Sequence, residues 1–91
     1  MKGIAPPEVY AALERRFSEG LEKTRQLLRQ PSVSATGEGM AECAEMVRSY
    51  LGELGCKTET YARGGHPLVI GFLNVGSDTT LVEYGMYDVQ P

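Results

Sequence analysis

Near its C-terminal end the chain runs from an apolar segment, Thr79 to Tyr84, through Gly85 into Met86-Tyr87-Asp88-Val89-Gln90-Pro91. Side chains two apart share one side of an extended chain, so Met86 and Asp88 are expected to project together beyond a strand end. Carboxyl ends of strands are where α/β enzymes commonly assemble a site. Taken alone, Asp88 reads as a turn residue that bonds nearby backbone N–H groups.

The other residues with chemical potential are weaker candidates. His66 is the single histidine and sits in a Gly-Gly-His-Pro turn, so it cannot complete a site of three or four ligands. Ser32 and Ser34 have no base in a defined relation to them, and loop or capping roles are expected. Gly37-Glu38-Gly39 lacks the third glycine and the preceding strand of a phosphate loop, and reads as a helix entry. Cys43 and Cys56 form no CxxC pair. Cys43 falls on a helical apolar stripe, which points to reduced thiols and a cytoplasmic setting. The tyrosines fall mainly on packing positions.

The elements that must position these residues follow from periodicity. Tyr10, Leu13, Phe17, Leu21, Thr24 and Leu28 recur at spacings of three and four, which predicts a helix from Pro7 to about Arg29. Pro7 suits its first position and Glu8 its positive end. Pro31 stops it, because the residue before a proline is pushed out of the helical region. The loop Pro31 to Gly39 leads to a second helix, about Met40 to Leu54, whose stripe is Met40, Cys43, Ala44, Val47, Tyr50, Leu51 and Leu54. Gly55 is placed to end it in a left-handed cap. Strands are expected at Lys57–Ala62, Leu68–Asn74 and Thr79–Tyr84, separated by turns. The expected fold is α/β: two N-terminal helices packed on a sheet with an antiparallel meander, in the order ααβββ.

Composition sets outer limits. The chain has 91 residues, 42% hydrophobic and 23% charged, with a net charge of −3. A chain of this length buries only roughly 60–65% of its unfolded surface and is marginal alone. The acidic balance and scattered basic residues argue against nucleic acid as a partner. No run approaches the ~20 apolar residues of a membrane span, and the start lacks the apolar core of a secretion signal.

The run Gly85-Met86-Tyr87-Asp88-Val89-Gln90-Pro91 resembles the Gly-His-Tyr-Asp-Val-Gln-Pro motif of the co-catalytic zinc metallohydrolases. That family includes aminoacylase, acetylornithine deacetylase, succinyl-diaminopimelate desuccinylase and carnosine-type dipeptidases. Upstream, Leu28-x-x-Pro31-Ser32-Val33-Ser34, the helix ending Tyr50-Leu51-x-x-Leu54-Gly55, Pro67 to Gly71 and Thr80 to Tyr84 resemble its segments in order. The likeness covers the chain from about residue 13 and is closest to the dipeptidase-like branch. It implies that residues 1–91 are the N-terminal part of a larger α/β/α catalytic domain. The parent would hydrolyse amide bonds of small peptides or N-acyl amino acids, using zinc (or cobalt or manganese), as a homodimer. Asp88 would stand at the catalytic position, supporting a histidine ligand. Met86 occupies that ligand position. The bridging Asp, the paired Glu residues and the remaining ligands come later in the family, so the 91 residues alone are expected to be inactive and to bind no metal.

Three readings of Met86 follow from the resemblance. The parent is active with an altered site, or is a non-catalytic relative that uses the fold for assembly or binding, or carries a changed histidine. A reading from another class is a free-standing α/β interaction module, which would have to unfold cooperatively as a monomer.

Overall fold

The structure is a computed structural model that describes residues 5–90. Residues 1–4 of the expected lead-in, and the motif's closing Pro91, lie outside the described residues. Helix α1 spans Pro7–Arg29 and helix α2 spans Met40–Glu53; strands β1, Lys57–Tyr61, and β2, Leu68–Phe72, follow.

The ends of the elements are set by local chemistry. Pro7 opens α1 with Glu8 in its first turn, and Gln30 is already extended at ψ 120 ahead of Pro31. Helix α2 begins from Gly39, which holds a left-handed φ of 71. A Cβ on Gly39 would lie 2.0 Å from the Pro31 carbonyl oxygen, so the loop folds back more closely than any other residue type permits. At the other end Gly55 adopts φ 94. The Gly55 N–H donates to Gly52 O and the Cys56 N–H to Leu51 O, the paired bonds of a Schellman cap.

The core lies under the first half of α2, where Met40, Cys43 and Ala44 are buried. Helix α2 packs across the β1–β2 hairpin. Gly71 makes this close: a Cβ there would sit 3.1 Å from Leu51 Cδ1 and 3.3 Å from Cys56 Cβ. The strands pair antiparallel, with Glu59 opposite Ile70 at their centre.

Two expectations are corrected. First, α1 does not pack on the sheet. None of its residues is buried, and Tyr10, Leu13, Phe17, Leu21 and Leu28 are all exposed. It meets α2 on a different side, through a Lys23 Nζ–Glu53 Oε2 ion pair of 2.6 Å and a Tyr50 hydroxyl that donates to Lys23 O at 3.3 Å. Second, Thr79–Tyr84 forms no strand among the described residues, and the sheet has two strands, not three. β-Propensity measures fit to a paired, half-buried surface, and this segment has neither neighbour nor cover. Leu81 and Tyr84 are each 83% exposed. The larger α/β/α domain is likewise not seen in residues 5–90. No helix among the described residues is long and apolar enough to cross a membrane.

Candidate functional site

Three segments distant in sequence meet beside the N-terminus of α2: the loop Pro31–Gly39, the turn before β2, and Tyr87–Val89. The loop is closed on itself by the Val33 N–H donating to Glu38 O at 2.9 Å and the Gly37 N–H donating to Val33 O at 2.8 Å. That closure presents Ser32 and Ser34 to the incoming end of the chain.

Ser32 is the principal clamp. It is 2% exposed, yet both its polar oxygens are used. Its hydroxyl donates to Tyr87 O at 2.7 Å, and its carbonyl accepts from the Val89 N–H at 2.9 Å. The result is a parallel bridge between Val33 and Val89. One residue pair further out, the Ser34 hydroxyl donates to Asp88 Oδ2 at 3.1 Å. His66 closes the third side, with Nε2 2.8 Å from Ser34 O, so that this nitrogen carries the proton and donates. The Tyr87 hydroxyl donates to Pro67 O at 2.6 Å.

The geometry defines what the cluster can do. Ser34, His66 and Asp88 are the residue types of a nucleophilic triad, but the connections are wrong for one. The imidazole binds the serine carbonyl rather than its hydroxyl, and the carboxylate takes the hydroxyl instead. The cluster positions backbone. Met86 and Asp88 are both exposed, with Tyr87 half-buried between them, the alternation of an extended chain. Met86 is 77% exposed. Among the described residues no three of His, Cys, Asp and Glu come together as metal ligands. A thioether and one carboxylate already bonded to Ser34 do not fit a two-metal centre.

Beneath the clamp lies Cys43, a free thiol, 1% exposed. Burial pushes its pKa up, and the adjacent Ser32 hydroxyl opposes this more weakly. Such a thiol stays protonated and inert at neutral pH. Tyr87 is also pushed up, first by burial and then by the neighbouring Cys43 and Asp88.

The expected site residue Asp88 is therefore placed beside Ser34, and His66 is joined to the same cluster. Sequence reasoning gave Ser32 a loop role and left His66 in an unconnected turn. Nothing local marks Pro67 O or Ser34 O as acceptors. No family model, curated protein or solved structure matches the chain.

Proposed function

We propose that the chain is the N-terminal part of the catalytic domain of a metal-dependent hydrolase acting on amide bonds of small peptides or N-acyl amino acids. The reading rests on the resemblance of Gly85–Pro91 and of the segments upstream to the dipeptidase-like metallohydrolases. One structural observation supports it above the rest. The two segments with the most distinctive likeness, Pro31–Ser34 and Tyr87–Val89, are joined in space, and Asp88 is held by Ser34 at 3.1 Å. In this reading loop 31–39 is a mount for the site-bearing segment. Ser32 fixes its backbone and Ser34 fixes the carboxylate of Asp88. Asp88 is the positioning group for whatever side chain stands two residues before it. Met86 gives it no N–H to accept, so the altered-site reading and that of a non-catalytic relative share the same geometry.

The test is zinc binding by the chain and by its Met86→His variant, followed by calorimetry. The wild-type chain is expected to take up no zinc stoichiometrically and to hydrolyse no dipeptide. Met86→His is expected to gain measurable zinc affinity. Adding Asp88→Ala to it should reduce that gain by about 10–100-fold, as for loss of a carboxylate behind a histidine ligand. Stoichiometric zinc or peptidase activity in the wild type would overturn the reading of Met86. No gain in Met86→His would remove the assignment of position 86.

A further inference from the structure

Ser32 holds the backbone of Tyr87–Val89 at the base of loop 31–39, through bonds of 2.7 and 2.9 Å. Ser34 lies further out, and His66 grips the loop there. Its Nε2 donates to Ser34 O at 2.8 Å. Its Cε1 lies 3.8 Å from where a Cβ on Gly37 would stand. The imidazole thus spans the tip of the loop from Ser34 to Gly37. The next residue, Pro67, holds the other partner, since its carbonyl accepts from the Tyr87 hydroxyl at 2.6 Å.

These contacts close a ring. Ser34 O meets His66, which is joined covalently to Pro67. Pro67 O meets Tyr87, which is joined covalently to Asp88. Asp88 Oδ2 then meets the Ser34 hydroxyl, the starting residue. Alone, a bond between a half-buried serine and an exposed aspartate competes with water and costs side-chain freedom. The ring removes part of that cost, because both backbones are fixed before the two side chains meet. The hold of the imidazole on the Ser34 carbonyl sets the backbone from which the Ser34 hydroxyl is aimed.

We infer that His66 is a positioning residue for the Asp88 carboxylate and acts through Ser34. His66 and Asp88 share no hydrogen bond among the described residues, so the effect passes through the serine. The turn before β2 thereby becomes part of the mount of Asp88, and the hairpin is coupled to loop 31–39. This placement needs no metal. What Asp88 then does for residue 86 rests on the hydrolase reading.

The experiment is solution NMR of the protein, reading the Hα–Hβ couplings of Asp88. They report whether its χ1 stays in one staggered well or averages over several. The wild-type chain is expected to show a single rotamer. His66→Phe keeps a ring against Gly37 and removes the donor, and the single rotamer should be lost. His66 is exposed, so the change empties no core. His66→Gln, which keeps an N–H donor at a similar reach, should restore the single rotamer. Ser34→Ala should lose it as His66→Phe does. Leu51→Ala, which loosens α2 on the hairpin, should lower stability and leave the Asp88 couplings as in the wild type.

Averaged couplings in the wild type would overturn the inference, as would a single rotamer in either His66→Phe or Ser34→Ala. Failure of His66→Gln to restore the rotamer would show that the donor is not the agent. Loss of the rotamer in Leu51→Ala would make it a reporter of general stability and would equally overturn the assignment. None of these readings involves zinc, so they stand or fall separately from zinc uptake by Met86→His.

Discussion

The corner built by loop 31–39, the first turn of α2 and Tyr87–Val89 contrasts with α1 and segment 79–84. The corner is made largely of small and polar residues, yet it contains all the buried side chains among the described residues, namely Ser32, Met40, Cys43 and Ala44. Helix α1 and segment 79–84 are rich in large apolar side chains, yet Leu13, Phe17, Leu28, Leu81 and Val82 lie open. Apolar periodicity states that a face demands cover. What supplies the cover is decided by close backbone approach and hydrogen bonding, and those are found at the corner. The two regions should therefore respond to substitution in opposite proportion to their hydrophobicity.

The largest expected effect is at Gly39. A Cβ there meets the Pro31 oxygen at 2.0 Å while the backbone is left-handed. Both penalties fall on backbone that cannot shift without opening the loop. Gly39→Ala is expected to cost more than about 3 kcal/mol, against a total on the order of 5–10 kcal/mol for a domain this small. Urea unfolding followed by dichroism checks this. A loss below about 1 kcal/mol would show that the corner is not what holds the fold.

Ser32→Ala is expected to rank second, at about 1–2 kcal/mol, because it removes the donor to Tyr87 O in a buried setting. Its signature is local. Exchange of the Val89 amide should accelerate, while amides in the centre of α2 slow or quicken only with global stability. Equal changes at both sites would make Ser32 a general packing residue rather than the clamp of the Asp88 segment.

The same corner predicts a pH dependence. Cys43 and Tyr87 both have raised pKa values in the folded chain. Each is neutral when protonated, so the folded state holds its proton more tightly than the unfolded state. Stability is then complete below the ordinary thiol range and falls as pH rises through about 9, where Cys43 begins to ionise in the unfolded chain. A second fall begins near pH 10 with Tyr87. Urea midpoints should be flat from about pH 6 to 8 and decline above. Cys43→Ala should abolish the first decline and keep the second. A flat profile to about pH 11 would mean that neither group is buried as described.

The legible part of this fold was what local chemistry fixes. Pro31 and Gly55 set helix ends, and the Schellman bonds at Cys56 follow from the glycine. The pairing of Lys57–Tyr61 with Leu68–Phe72 follows from two strand-like runs around a glycine turn. The third strand was not legible, because a strand needs a neighbour and Thr79–Tyr84 reports only its own preference. Asp88 was legible as a candidate through its motif. Its partner Ser34 was not, because 54 residues separate them and only the closure of loop 31–39 brings them together.

The smallest expected effect is on the most hydrophobic surface. Phe17 lies at the centre of the α1 stripe and is two-thirds exposed, at 66%. A core phenylalanine costs about 3–5 kcal/mol to truncate. Here the side chain leaves water only in part and contributes little of that. Gln has a slightly better helix propensity than Phe, by a few tenths of a kcal/mol, and offsets much of the remainder. Phe17→Gln is therefore expected to change stability by no more than about 0.5 kcal/mol and to leave the Lys23–Glu53 ion pair on the other side of the helix in place. Urea unfolding of the variant at low concentration, where copies are separate, reads this directly. A loss above about 2 kcal/mol would reverse the contrast between the two regions and show that the α1 face is covered in solution.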